Sequence, residues 1–210
     1  MGAAERMVDD DGVVRIGSVV FALMRPTAGH ERAFNHWYER DHFYTAGLAA
    51  PGVFSAGRFI QPDSGWHLAL YFVLPGHDEA RVAFATEQLA LAADDDRLFT
   101  EREHLHTWSH DVESAVRGTD DVPLALALDH RYAGLHVSMY DGEAPIVPGP
   151  ALTLRARSRV MPADWDAGAE PGVRRILLQF GDAPAGVGDA EVWSGAFVPM
   201  VIGTDTHVTE

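Results

Sequence analysis

Between Val13 and Val116 the apolar and polar stretches alternate in an order that admits few folds. "VVRIGSVVFALMR" (13–25) is a β-branched, apolar run that Pro26 ends, and it reads as a strand. Thr27 or Gly29 opens a helix with Glu31 in its first turn, where the helix dipole favours a carboxylate. The pattern carries that helix to about Leu48, and "APG" at 50–52 stops it. "VFSAGRFIQ" (53–61) and "WHLALYFVL" (66–74) read as strands joined by a "PDSG" turn. A second helix runs from Asp78, read as its capping residue, to about Ala93, with Val82, Ala83, Leu89 and Ala90 turned inward. A polar connector (94–103) then leads to a last strand, 104–116.

The order is β-α-β-β-α-β, the ferredoxin-like arrangement of an α+β fold. The expected organisation is a flexible tail (1–12), the ferredoxin-like unit (13–116), a polar, turn-rich linker (117–133) and a second unit (134–210). The second unit reads differently. Strands are expected at 134–140, 152–160, 174–180 and 193–202, separated by Gly-, Pro- and Asp-rich segments, with no amphipathic helix to match residues 30–48. It is either a degenerate copy of the first unit or a β-rich extension.

Charge and missing residue types narrow the chemistry. Net charge is −15, from 31 acidic and 16 basic residues. Such a surface repels phosphate, so neither nucleic acid nor anionic membrane is an expected partner. All 16 basic residues are arginine, a pattern of GC-rich coding. Without lysine there is no Schiff base and no pyridoxal phosphate anchor. Without cysteine there is no disulfide, thiolate nucleophile or Cys-bound metal. No GxGxxG, GxxxxGK or GxSxG motif occurs. No signal region precedes Val13, and no apolar run approaches the roughly 20 residues of a membrane helix, so a cytoplasmic location is expected. What remains is chemistry without an organic cofactor, or binding without chemistry.

The first helix concentrates the candidates. Phe34, Trp37, Tyr38, Asp41 and His42 fall at i, i+3, i+4 spacing and share a face. His42 follows Tyr38 by one turn. An imidazole near its ordinary pKa of about 6.5 exchanges protons at neutral pH, and a phenol beside it can donate to a developing oxyanion. His42 and Tyr38 are therefore the candidate catalytic pair, with Trp37, Phe34 and Phe54 as pocket walls. The competing reading makes Tyr38 and Trp37 core rings and His42 a helix-end cation. Asp41 either orients His42 or faces solvent, and His36 falls off the apolar face.

On the strands, an inward Arg58 could hold a substrate carboxylate. His104, His106 and His110 share one face if the strand is regular. A metal there would need a third ligand from Glu101, Glu103, His67 or His136. The reading adopted is a substrate-binding role for His104 and His106, with no metal and no cofactor. Arg155, Arg157 and Arg159 would share another strand face, more as neutralisers of acidic neighbours than as an anion site, and Asp164 and Asp166 read as a solvated loop.

"FNHWYERDHFYTAGLAAPGVFSAGRF" (34–59) resembles the signature of the dimeric α+β barrel superfamily, in particular its EthD-like branch. The matching positions are Trp37, Tyr38, His42, Pro51, Gly52, Ser55, Ala56 and Arg58, and the resemblance spans about residues 15–113. It implies two ferredoxin-like units whose sheets close into a barrel, with a pocket between sheet and helices. The β-rich second half would complete the barrel within the chain, or a homodimer would. Activities in that superfamily range over cofactor-free monooxygenation, cyclisation, isomerisation and dehydration, with haem in some branches. The expected function is a cofactor-free acid–base lyase, isomerase or cyclase acting on a hydrophobic carbonyl- or phenol-bearing small molecule. The alternatives are a cofactor-independent monooxygenase and a non-catalytic binding or accessory protein.

Overall fold

The computed structural model describes residues 16–116, 132–147, 150–156, 173–181 and 191–208. Strand β1 (Ser18–Pro26) leads into helix α1 (Glu31–Trp37), which continues as a π-helical segment (Tyr38–Leu48). The hairpin β2 (Val53–Gln61) and β3 (Trp66–Val73) follows, then α2 (Asp78–Asp94) and the long β4 (Arg102–Val116). Strands β5 (Leu135–Tyr140), β6 (Ala151–Ala156), β7 (Arg175–Phe180) and β8 (Glu191–Pro199) complete the chain.

All eight strands join one closed antiparallel barrel in the order β1-β3-β2-β8-β5-β7-β6-β4. The expected α+β ferredoxin-like class is thereby corrected: 45% of the described residues are strand and 23% helix. A four-stranded ferredoxin-like sheet has two open edges and one bare face. Here β2 pairs with β8 and β4 pairs with β6, so neither edge is open. The ring is completed by strands of the same chain, so it is not assembled from paired α+β chains. The second half adds four strands and no helix among the described residues. Each half enters the ring in the same permuted order, β4-β1-β3-β2 and then β8-β5-β7-β6.

Strand alternation sorts side chains into two layers. Val19, Phe21 and Leu23 of β1 and Leu68, Leu70 and Phe72 of β3 point into the barrel. They meet Val137 and Met139 of β5, Leu154, Ile176, Leu178 and Phe197 from across the ring. Val20, Ala22 and Met24, with Ala69, Tyr71 and Val73, point outward under Phe34, Tyr38 and Phe43 of the first helix. Both faces of β1 and β3 are thus covered, which is why they read as continuous apolar runs. Gly52 has φ +77°, the left-handed turn at which the chain leaves the helix layer for β2.

Several local expectations shift. The first helix is α-helical only to Trp37. Beyond it the turns widen, as in the bond from Ala49 N to Tyr44 O at 2.9 Å. Helix α2 has His77 at its N-cap with no side-chain cap, and Asp78 instead accepts from Ser18 Oγ at 2.6 Å. Its buried positions are Arg81 and Ala85, whereas Ala83 and Ala90 are exposed. No helix among the described residues is long and apolar enough to cross a membrane. The 1–12 tail, residues 117–131 of the linker, Arg157, Arg159, Asp164 and Asp166 lie outside the described residues.

Candidate functional site

The helix layer leaves a cavity of about 40 Å³ against the outer face of β1, β3 and β4. Tyr38, His42 and Gly47 line it from the π-helical segment, Tyr71 and Thr107 from the sheet, and Arg81 from α2. In a π-helix both i+4 and i+5 stay close to the face of residue i. That is how Tyr38 and His42 reach the cavity while Phe43, five residues after Tyr38, is buried beside them. Gly47 is required by contact: a Cβ there would lie 2.2 Å from Tyr71 Cε1.

The hydroxyls of Tyr38 and Tyr71 lie 3.1 Å apart and are both buried. Burial raises the Tyr38 pKa, against the Tyr71 hydrogen bond and the Arg58 charge, which lower it. Burial, with the neighbouring Tyr38, raises that of Tyr71 further. Both are neutral donors at physiological pH. His42 stacks on Trp37 at 4.6 Å and meets Tyr38 edge-on at 5.1 Å. Burial, then the charge of Arg102, pulls its pKa down to about 3, so the ring is a neutral base. It forms no hydrogen bond among the described residues. Asp41, expected to orient it or face solvent, is held by Arg97 Nη1 at 2.7 and 2.9 Å.

The other expected site residues fall into separate environments. Trp37 donates its indole N–H to Arg97 O at 2.7 Å and stacks on Phe99 as well as on His42. Phe34 is fully buried in the helix–sheet layer, edge-on to His67. Arg58 is buried there too, and lies outside the cavity. It donates to Asn35 Oδ1 at 2.8 Å and Glu39 Oε1 at 2.9 Å, and its guanidinium sits 4.5 Å over the Tyr38 ring. The substrate carboxylate expected there is replaced by Glu39. Glu39 Oε2 accepts from Gly203 N, and Asn35 donates to Thr204 O and Asp205, which straps the C-terminal segment across the helix. His36 also pairs with Asp205.

Phe54, expected as a pocket wall, packs against the barrel-interior cluster. The three β4 histidines do not share a face. The register with β1 slips between Leu23 and Met24, from Leu23↔His106 to Met24↔His104. This bulge sends His104 outward beneath the helices and leaves His106 and His110 inside the barrel, Nε2 to Nε2 at 3.1 Å, against Phe21. His106 is therefore corrected from the pocket to the interior. No three metal-ligating side chains converge among the described residues.

His104 stands one bond behind the cavity. Arg102 Nε donates to its Nε2 at 3.1 Å, and its Nδ1 lies 3.0 Å from Thr107 Oγ1. Burial and then Arg102 lower its pKa to about 4, so it too is neutral. Tyr71, Thr107, Arg81 and Gly47 were not legible as site residues. For Tyr71 a signal exists: it alternates outward on β3 on the same face as Ala69. For Thr107 the face depends on the bulge, which no local motif announces. No protein-family model matches the chain, and no curated protein matches it in sequence.

Proposed function

We propose that this cavity is the working site of a small-molecule enzyme without an organic cofactor, an acid–base lyase, isomerase or cyclase. The substrate presents a carbonyl or phenol oxygen to the Tyr38–Tyr71 pair while His42 takes the proton that leaves. One observation carries the reading: a neutral histidine and a buried hydroxyl pair line the same cavity. The hydroxyls stabilise negative charge as it develops on oxygen, most strongly in a water-poor site. His42 is a weak base in the free protein, because burial and Arg102 disfavour its cation. An anionic oxygen brought beside it offsets both effects and raises its proton affinity.

The cavity accommodates the reacting end of a substrate rather than a drug-sized body, for which pockets of roughly 300–1,000 Å³ are usual. The low proton affinity of His42 equally favours a second reading, a binding protein without turnover. Enzyme-dependent exchange of carbon-bound protons into solvent separates the two. Loss of that exchange in His42→Gln supports the first, and its absence from the unmodified protein supports the second.

A further inference from the structure

The hydroxyl of Thr107 has its direction fixed from behind. Because Arg102 Nε donates to His104 Nε2, that nitrogen carries no proton, and the single proton of the neutral ring sits on Nδ1. Nδ1–H therefore donates to Thr107 Oγ1. That oxygen forms no other hydrogen bond among the described residues. Thr107 is 1% exposed and lines the cavity, so its own proton is left to be given there.

The tyrosine pair is in the same position. One hydroxyl proton is used between Tyr38 and Tyr71, and the other has no acceptor among the described residues. Buried donors left without an acceptor are costly, so a cavity bearing two of them is built for an acceptor. Arg102 adds positive charge. It lies 5.0 Å over the Trp37 ring and has no carboxylate in ion-pair reach among the described residues.

We propose that Thr107, held by the Arg102–His104 chain, is a binding residue of this cavity, and that the ligand it receives is the carboxylate group of a small organic acid. Thr107 donates to a carboxylate oxygen and Arg102 balances the charge, while the free proton of the tyrosine pair stays with the neighbouring carbonyl or phenol oxygen. A volume of about 40 Å³ holds about three water-sized groups at 10–15 Å³ each, which suits a carboxylate head. The inference rests on the cavity being the working site, and it names what that site selects.

Acetate is the probe, titrated into protein labelled with ¹⁵N at histidine and followed by NMR. The unmodified protein should bind acetate saturably, and His104 should show its proton on Nδ1 with Nε2 bare. Thr107→Val keeps the shape and removes the hydroxyl, and should weaken acetate binding at least about tenfold. Thr107→Ser restores the hydroxyl and should stay within about threefold of the unmodified protein. Absence of saturable acetate binding, unchanged affinity in Thr107→Val, or a proton on His104 Nε2 would each overturn the proposal. Acetone has no carboxylate, so proton exchange on acetone tests His42 and the tyrosine pair without the carboxylate contact and distinguishes failure of this inference from failure of the proposed chemistry.

Discussion

The hydroxyl of Tyr38 on the π-helical segment and that of Tyr71 on β3 lie 3.1 Å apart, and together they tie the helix layer to the barrel. Tyr38→Phe and Tyr71→Phe should each cost about 1 kcal/mol, the usual net worth of a neutral hydrogen bond. The double variant should cost less than the sum, since neither hydroxyl is then left alone. Urea unfolding of the four proteins measures this coupling. Strict additivity would mean that the two hydroxyls do not act as a pair.

Gly47 gives Tyr71 its place. Its backbone is not in the left-handed region, so Gly47→Ala acts through contact alone, with a Cβ 2.2 Å from Tyr71 Cε1. Displacing that ring should cost about 1–3 kcal/mol, the range for overfilled cores. Ordinarily, alanine for glycine in a helix stabilises by roughly 0.5–1 kcal/mol. The urea midpoint should therefore fall in Gly47→Ala, and a rise would contradict this account of Gly47.

Arg58 and Glu39 form a buried ion pair, with Asn35 and His67 as further neighbours of the guanidinium. Glu39→Ala leaves that cation buried and uncompensated, and should cost about 3–5 kcal/mol. Replacing both by leucine should recover much of the loss, because the charge is then removed with its partner. Arg58→Lys should not restore stability, since an ammonium cannot reach Asn35, Glu39 and His67 as a fork. Thermal unfolding of the three variants reads each outcome.

Acid stability carries a defined sign. His67, His106 and His110 are buried, and burial lowers their pKa values to about 3, 4 and 3. An unfolded histidine titrates near 6.5, so between that value and the lowered ones the unfolded chain binds more protons. The stabilisation is complete above pH 6.5 and is lost as pH falls toward 4. Each group contributes a slope of about 1.4 kcal/mol per pH unit in that window. Unfolding measured at pH 7, 6 and 5 should show the decline. His67→Gln should make it shallower by about one group's share, and an unchanged slope would contradict the assignment.

The strands were legible because burial on both faces leaves unbroken apolar runs, as in β1 and β3. Closure was raised only by the family resemblance and was not readable from local pattern, because the pairings of β2 with β8 and β4 with β6 join segments at least 35 residues apart with no motif between them. Tyr38 and His42 stood out as a phenol and an imidazole one turn apart, and the structure sets both on one cavity. Faces beyond a bulge were misread. One slipped residue at Leu105 separates His104 from His106. Another between Val53 and Ser55 accompanies Phe54 into the barrel. A period of two has no means of registering an inserted residue. Arg58 was read as a substrate ligand because its buried partner, Glu39, comes from a helix whose register only the fold sets.

The most direct test follows the α-protons of acetone and of pyruvate by NMR in D₂O, with and without the protein. Proton transfer by His42 to and from the bound carbonyl compound predicts accelerated exchange of deuterium into both. His42→Gln should reduce it by about 10²–10⁴-fold, the usual contribution of a general base. Because His42 of the free protein is neutral well below pH 5, kcat/KM for exchange on uncharged acetone should show no histidine titration between pH 5 and 8. Exchange that the unmodified protein does not accelerate, or that His42→Gln leaves unchanged, would contradict the assignment of this cavity as a proton-transfer site.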